Sequence, residues 1–135
     1  MDGPEDFPVF VSVVDDEEDL VYLFRDALSQ IPGVSVLAFT DPKLALAHFE
    51  TNHEKYGLVL SDYRMPAMTG VDLLKKVKEI NPEVKRILIS AFDVGDEIFS
   101  SCNCVDVFLQ KPISMTDLAS NVRSHIETPT VKEAT

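Results

Sequence analysis

Val9-Phe10-Val11-Ser12-Val13-Val14-Asp15-Asp16 runs from an apolar, β-branched stretch straight into two adjacent carboxylates. A continuous apolar run of this length reads as a central strand of a parallel sheet, covered by helices on both faces. Three further runs end in the same manner. Leu58–Ser61 leads into Asp62, Ile87–Ile89 into Ser90, and Val105–Leu109 towards Lys111. Segments of helical period separate them, so the chain reads as successive βαβ units. Parallel strands bring their C-terminal ends to one edge, and that edge is where open α/β sheets bind ligands. Three carboxylates, a hydroxyl and an ammonium then meet in a space suited to a phosphoryl group and a metal ion.

The intervening elements follow from apolar spacing and stop signals. Leu20, Leu23, Phe24, Ala27, Leu28 and Ile31 recur at i, i+3, i+4 spacing and predict a first helix over about Glu18–Gln30, stopped by Pro32-Gly33. Val34–Phe39 is a more polar second strand, expected at an edge. Asp41-Pro42 is an N-cap followed by proline at the first helical position. It opens a second helix, about Pro42–His53, expected to bury Leu44, His48 or Ala47, and Phe49. A third helix over Gly70–Ile80 turns Leu73, Leu74, Val77 and Ile80 inward and Lys75, Lys76 and Lys78 outward. Lys85–Ser90 is the fourth strand. A short fourth helix is expected over about Val94–Ser101. After the fifth strand, Ser114 and Asp117 form a capping box with Ile113 and Leu118 as its staple, opening a fifth helix lined by Leu118, Val122 and Ile126.

With 135 residues and 45% hydrophobic content, the chain suits one domain with one core. The expected division is an N-terminal segment over 1–8, the domain over 9–127, and a tail or truncated linker over 128–135. No apolar run approaches the roughly 18 residues of a membrane span, and the acidic start lacks a signal-peptide h-region. A cytoplasmic location without membrane attachment is therefore expected. The net charge of −11 opposes direct contact with nucleic acid. Cys102 and Cys104 stand one residue apart, too close for an unstrained disulfide, and are expected as reduced thiols.

Each polar group has a bland role as well as a chemical one. Asp15 and Asp16 repel each other, which a hard divalent cation with oxygen ligands would relieve, but acids here also favour a helix N-terminus. Asp62 could cap a turn, or act beside a metal as a nucleophile that forms an acyl phosphate. Ser90 could donate to a phosphoryl oxygen, with the small Ala91 leaving room for the anion. Lys111 supplies the counter-charge a three-acid cluster needs. Pro112 is a cis candidate, although only about 5% of X–Pro bonds are cis. His48, His53 and His125 lie away from this edge and read as surface or interface residues on helices rather than phosphotransfer histidines.

Together these residues resemble the receiver domain of two-component response regulators. The resemblance rests on Val13-Val14-Asp15-Asp16-Glu17, Asp62-x-x-Met65-Pro66-x-x-x-Gly70, Ser90-Ala91 and Phe108-x-x-Lys111-Pro112, and spans about Val9–Ile126. It implies an α/β, doubly wound, flavodoxin-like fold: a five-stranded parallel sheet of order 2-1-3-4-5 with five helices. It implies that Asp62 accepts a phosphoryl group from a phosphohistidine on a sensor histidine kinase or phosphotransfer protein. Mg²⁺ would be held by Asp16, Asp62 and the backbone carbonyl of Arg64, with Asp15 acting mainly through a bound water. Ser90, Ala91 and Lys111 would receive the phosphoryl oxygens and Phe108 would be the aromatic switch residue. The surface of the fourth helix, fifth strand and fifth helix would then change, as a phosphoryl group adds charge and acceptors.

Arg64 and Phe92 flank the path of attacking water in that family. Both are large here, which predicts slow autodephosphorylation. Cys102-Asn103-Cys104-Val105 stands where the family often has a Gly-Ala turn before the fifth strand. Output would pass to a downstream effector protein or a covalently linked output domain, with the chain a monomer or a phosphorylation-linked homodimer. It would not be an enzyme beyond self-phosphorylation and autodephosphorylation. Two rivals remain: a receiver-like binding module that does not accept phosphate, and an aspartyl-nucleophile phosphatase. The latter carries Asp-x-Asp after its first strand, where this chain has Asp15-Asp16.

Overall fold

The computed structural model describes residues 8–91 and 103–126. Five strands, β1 (Val9–Val14), β2 (Val34–Phe39), β3 (Tyr56–Asp62), β4 (Lys85–Ser90) and β5 (Val107–Gln110), form one parallel sheet of order β2-β1-β3-β4-β5. The polar strand β2 lies at an edge, as its composition predicts. Among the described residues there are four α-helices: α1 (Glu18–Leu28), α2 (Pro42–Asn52), α3 (Gly70–Ile80) and a C-terminal helix, Met115–Ser124. The helix expected at Val94–Ser101 lies outside the described residues, as does Phe92.

Strand alternation divides the core into two layers. Val11, Val13, Leu58, Leu60, Ile87 and Ile89 face α1 and the C-terminal helix, meeting Phe24, Leu28 and Leu118. Val14, Val59 and Leu88 face α2 and α3, meeting Phe49, Leu73 and Leu74. Local chemistry fixes the helix starts. Asp41 Oδ1 accepts from the Lys43 amide at 2.9 Å. Ser114 Oγ accepts from the Asp117 amide at 3.0 Å. Thr69 and Asp72 form a reciprocal capping box on α3.

Several boundaries and faces correct the sequence reading. In α1 the inward stripe is Val21, Phe24 and Leu28, while Leu23 is 50% exposed. In α2 the buried residues are Pro42, Ala45 and Phe49, and Leu44 is 61% exposed. Both helices carry two apolar stripes, and only the sheet decides which is covered. Helix α1 closes at Leu28, two residues short of Gln30. A 3₁₀ turn at His53–Lys55 ends α2, and β3 then starts at Tyr56 rather than Leu58. Strand β5 starts at Val107 rather than Val105, because Asp106 is occupied by Arg86 on the neighbouring strand. Cys104 is buried and disulfide-bonded, not a reduced thiol.

Candidate functional site

The carboxyl ends of β1, β3, β4 and β5 bring Asp15, Asp62, Ser90 and Lys111 to one edge. Asp15 follows β1, held by its amide donating to the Phe39 carbonyl at 3.1 Å. Its side chain is buried, and Oδ1 accepts from the Glu17 amide at 2.9 Å. Asp16 is exposed. Asp62 closes β3 and is 8% exposed. One carboxylate oxygen from each of Asp15, Asp16 and Asp62 lies within 4.8 Å of the others. Lys111 Nζ stands 3.0 Å from Asp62 Oδ1, 3.1 Å from Asp15 Oδ2 and 3.9 Å from Glu17 Oε1.

One ammonium thus bridges two buried carboxylates. Burial raises the Asp62 carboxyl above its ordinary value. The hydrogen bond from Lys111 pulls it back, and the charges of Asp15 and Asp16 add to the rise. Burial pulls the Lys111 ammonium down, but its bonds to Asp62 and Asp15 outweigh this and leave it raised. The cluster has more negative charge than one lysine neutralises. Its donors are hard oxygens on facing strand ends, which is what a small divalent cation requires.

The neighbouring strands complete the frame. Ser90, 1% exposed, closes β4, and its carbonyl accepts from the Lys111 amide at 2.7 Å. Ala91 follows it at the surface. The Lys111–Pro112 peptide bond is cis. Phe108 pairs with Leu88 and is partly buried against the α2–α3 layer. Arg64 is exposed on the loop after β3. That loop is tightly turned: Met68 N donates to Pro66 O at 2.8 Å across Ala67, whose φ is 74°. Sequence reasoning missed the Ala67 turn and the Thr69–Asp72 box. The Thr-x-x-Asp spacing was a visible signal for the second, whereas nothing in an alanine announces the first.

An acidic pocket at the carboxyl edge of a 2-1-3-4-5 sheet, bridged by a lysine from the last strand, defines a class of signalling domain. The sequence profile of the response regulator receiver domain matches residues 11–123, and the chain belongs to that family of two-component systems. It is 32% identical over 119 residues to the hydrogenase transcriptional regulatory protein HoxA of Cupriavidus necator, covering 87% of this chain and 24% of that protein. It is 39% identical over 72 residues to the two-component response regulator ARR17 of Arabidopsis thaliana, covering 50% of this chain and 46% of that one. The chain therefore spans less than half the length of these relatives. A crystal structure of a response regulator receiver domain protein from Clostridium thermocellum superposes with a TM-score of 0.78 at 25% identity, covering 93% of this chain and 98% of that one. The receiver domain of the Francisella response regulator 1452 gives a TM-score of 0.72 at 26% identity, covering 86% and 94%. No described helix is long and apolar enough to cross a membrane.

Proposed function

We propose that Asp62 accepts a phosphoryl group and that the resulting acyl phosphate switches the β4–β5 side of the domain. The observation that carries this reading is the Lys111 ammonium held between Asp62 and Asp15. In the transfer, an Asp62 carboxylate oxygen forms a bond to phosphorus as the N–P bond of a donor phosphohistidine breaks. The imidazole leaves with the electron pair and takes up a proton. Lys111 trades its contact with the Asp62 carboxylate for one with a phosphoryl oxygen, and the Ser90 hydroxyl donates to another. The three carboxylates and the backbone carbonyl of Arg64 suit Mg²⁺. When bound, it would offset charge on the phosphoryl oxygens.

Ser90 and Lys111 contact phosphoryl oxygens only after transfer, so the balance between two packings shifts. Phe108 lies two residues beyond Asp106 on β5 and would turn inward as Ser90 is drawn to the anion. Arg64, two residues past Asp62, would slow attack by water. The donor would approach over α1. Leu20, Leu23, Ala91, Pro112, Ile113 and Met115 line an apolar cleft beside Lys111. Output to an effector or a linked domain, and a cytoplasmic setting, belong to the same reading.

Mass spectrometry after incubation with acetyl phosphate and Mg²⁺ tests the core claim. One phosphoryl group per wild-type chain and none on Asp62→Asn is expected. An unmodified wild type leaves the non-phosphorylated binding module. Repeated turnover of phosphomonoesters favours a phosphatase.

A further inference from the structure

Arg86 is an anomaly in the core. It sits near the start of β4, only 5% exposed, where a parallel strand ordinarily carries an apolar residue. Nε donates to Cys104 O at 2.8 Å, and Nη1 donates to Val84 O at 2.8 Å and Pro82 O at 3.2 Å. Nη2 pairs with the Asp106 carboxylate at 3.3 Å. The main chains lock as well. Arg86 N donates to Asp106 Oδ2 at 2.9 Å, and Asp106 N donates to Arg86 O at 2.8 Å. One guanidinium therefore joins the loop before β4 to the loop before β5.

The location gives this clamp its consequence. Strand β5 is an edge strand of 4 residues, with β4 its single neighbour. The β4–β5 ladder runs from Ile87↔Val107 to Ser90↔Gln110. Arg86–Asp106 lies one step before the ladder, and the Lys111 amide bonded to Ser90 O lies one step after it. A short edge strand held at one end alone would let the other end wander, and Ser90 and Lys111 depend on mutual placement. A buried cation left without its partners is costly, so the clamp is a stiff anchor.

We propose that Arg86, with Asp106 as its counter-ion, is a positioning residue that fixes the β4–β5 register from the far end and so sets the placement of Lys111 against Ser90. The functional half of the proposal rests on the reading of those two residues as the phosphoryl-binding pair. The mechanical half does not.

The test compares wild type, Arg86→Met and Asp106→Asn by amide hydrogen exchange in the free protein. The Lys111 amide of Arg86→Met should exchange about tenfold faster, while β1 and β3 amides keep their rates. Asp106→Asn, which leaves the three carbonyl contacts in place, should show a smaller change of the same kind and serves if Arg86→Met does not fold. Affinity for beryllofluoride with Mg²⁺ should fall about tenfold, whereas affinity for Mg²⁺ alone should hold, since its carboxylates lie on β1 and β3. A Lys111 amide exchanging at the wild-type rate overturns the proposal. So does a uniform rise across the sheet, which would mark a purely structural role. Wild type that fails to bind beryllofluoride overturns the phosphoryl reading instead, and the exchange data still decide the clamp.

Discussion

Gly70 packs its α-carbon directly against the backbone carbonyl of Asp62. A Cβ at position 70 would overlap that oxygen and stand 2.7 Å from Leu88 Cδ1. The Gly70 amide also donates to Tyr63 O at 2.8 Å. The first turn of α3 is therefore seated on the strand end that carries Asp62. Gly70→Ala should destabilise the fold by about 1–3 kcal/mol, the usual penalty for overpacking. It should also slow phosphorylation by acetyl phosphate about tenfold, since displaced reacting groups lose rate steeply. Thermal melts and initial labelling rates check the two effects separately.

The same carboxylate makes stability depend on pH. Asp62 has a folded pKa raised above its ordinary 3.8, first by burial. The native state thus holds this proton more tightly than the unfolded chain. The stability it contributes is full below that ordinary value and is lost as pH rises through the folded value. At neutral pH the ionised group is a burden, so Asp62→Asn should melt higher than wild type, by roughly 4 °C for a gain of about 1 kcal/mol. The gap should close as pH falls into the ordinary carboxylate range. Added Mg²⁺ should raise the wild-type midpoint more than that of Asp62→Asn. Melts across pH, with and without the metal, measure both.

How much of this was legible beforehand differs from residue to residue. The run Val9–Val14 shows its strand through composition alone, and Asp62, Ser90 and Lys111 follow because parallel strands bring equivalent ends together. Asp15 and Lys111 are 96 residues apart, yet order along the sheet suffices to join them. Arg86 was not legible. It reads as a polar strand end until Asp106, 20 residues later, is folded against it. Leu23 was misplaced because α1 has apolar residues on two faces, and periodicity does not say which one the sheet takes.

That second face has its own consequence. Leu23 is 50% exposed beside the cleft next to Lys111. If Asp62 is the phosphoacceptor proposed above, a small phosphodonor has no need of Leu23, whereas a protein donor approaching over α1 would lie across it. Leu23→Glu should reduce phosphotransfer from a histidine-phosphorylated partner about tenfold, the scale of an interface residue worth about 1.4 kcal/mol. Labelling by acetyl phosphate should stay unchanged. Equal loss with both donors would show that the substitution damages the site rather than the docking face.

Ala67 holds a φ of 74° in the turn closed by the Met68 amide on Pro66 O. A γ-turn with positive φ is rare and strained, and the left-handed region costs an L-residue about 1–2 kcal/mol. Glycine removes that strain but loses more entropy on folding. Ala67→Gly should therefore stabilise the domain by about 0.5–1 kcal/mol, read from chemical denaturation midpoints. A loss of stability would mean that the alanine side chain has contacts worth more than the strain.

Tyr56 carries a polar thread through the layer beneath α2. Its hydroxyl lies 2.8 Å from His48 Nδ1 and is hydrogen-bonded to the buried Ser12. Burial pushes the phenol up to about 12, against the weaker opposing pull of Ser12. The proton stays on Tyr56, and its hydroxyl shares a hydrogen bond with His48 Nδ1 whose direction follows the imidazole tautomer. Rings of Phe10 and Phe49 stand edge-on to it at 5.7 Å and 4.9 Å. Tyr56→Phe keeps those ring contacts and strands the Ser12 hydroxyl, so it should cost about 1–2 kcal/mol. The pH sign follows from the raised value. The stability contributed by Tyr56 is complete below its ordinary 10.0 and lost as pH rises through about 12. Wild type should therefore lose stability across that window, and Tyr56→Phe should lose less. Denaturant melts at neutral and alkaline pH would show it; parallel declines in both proteins would place the alkaline sensitivity elsewhere.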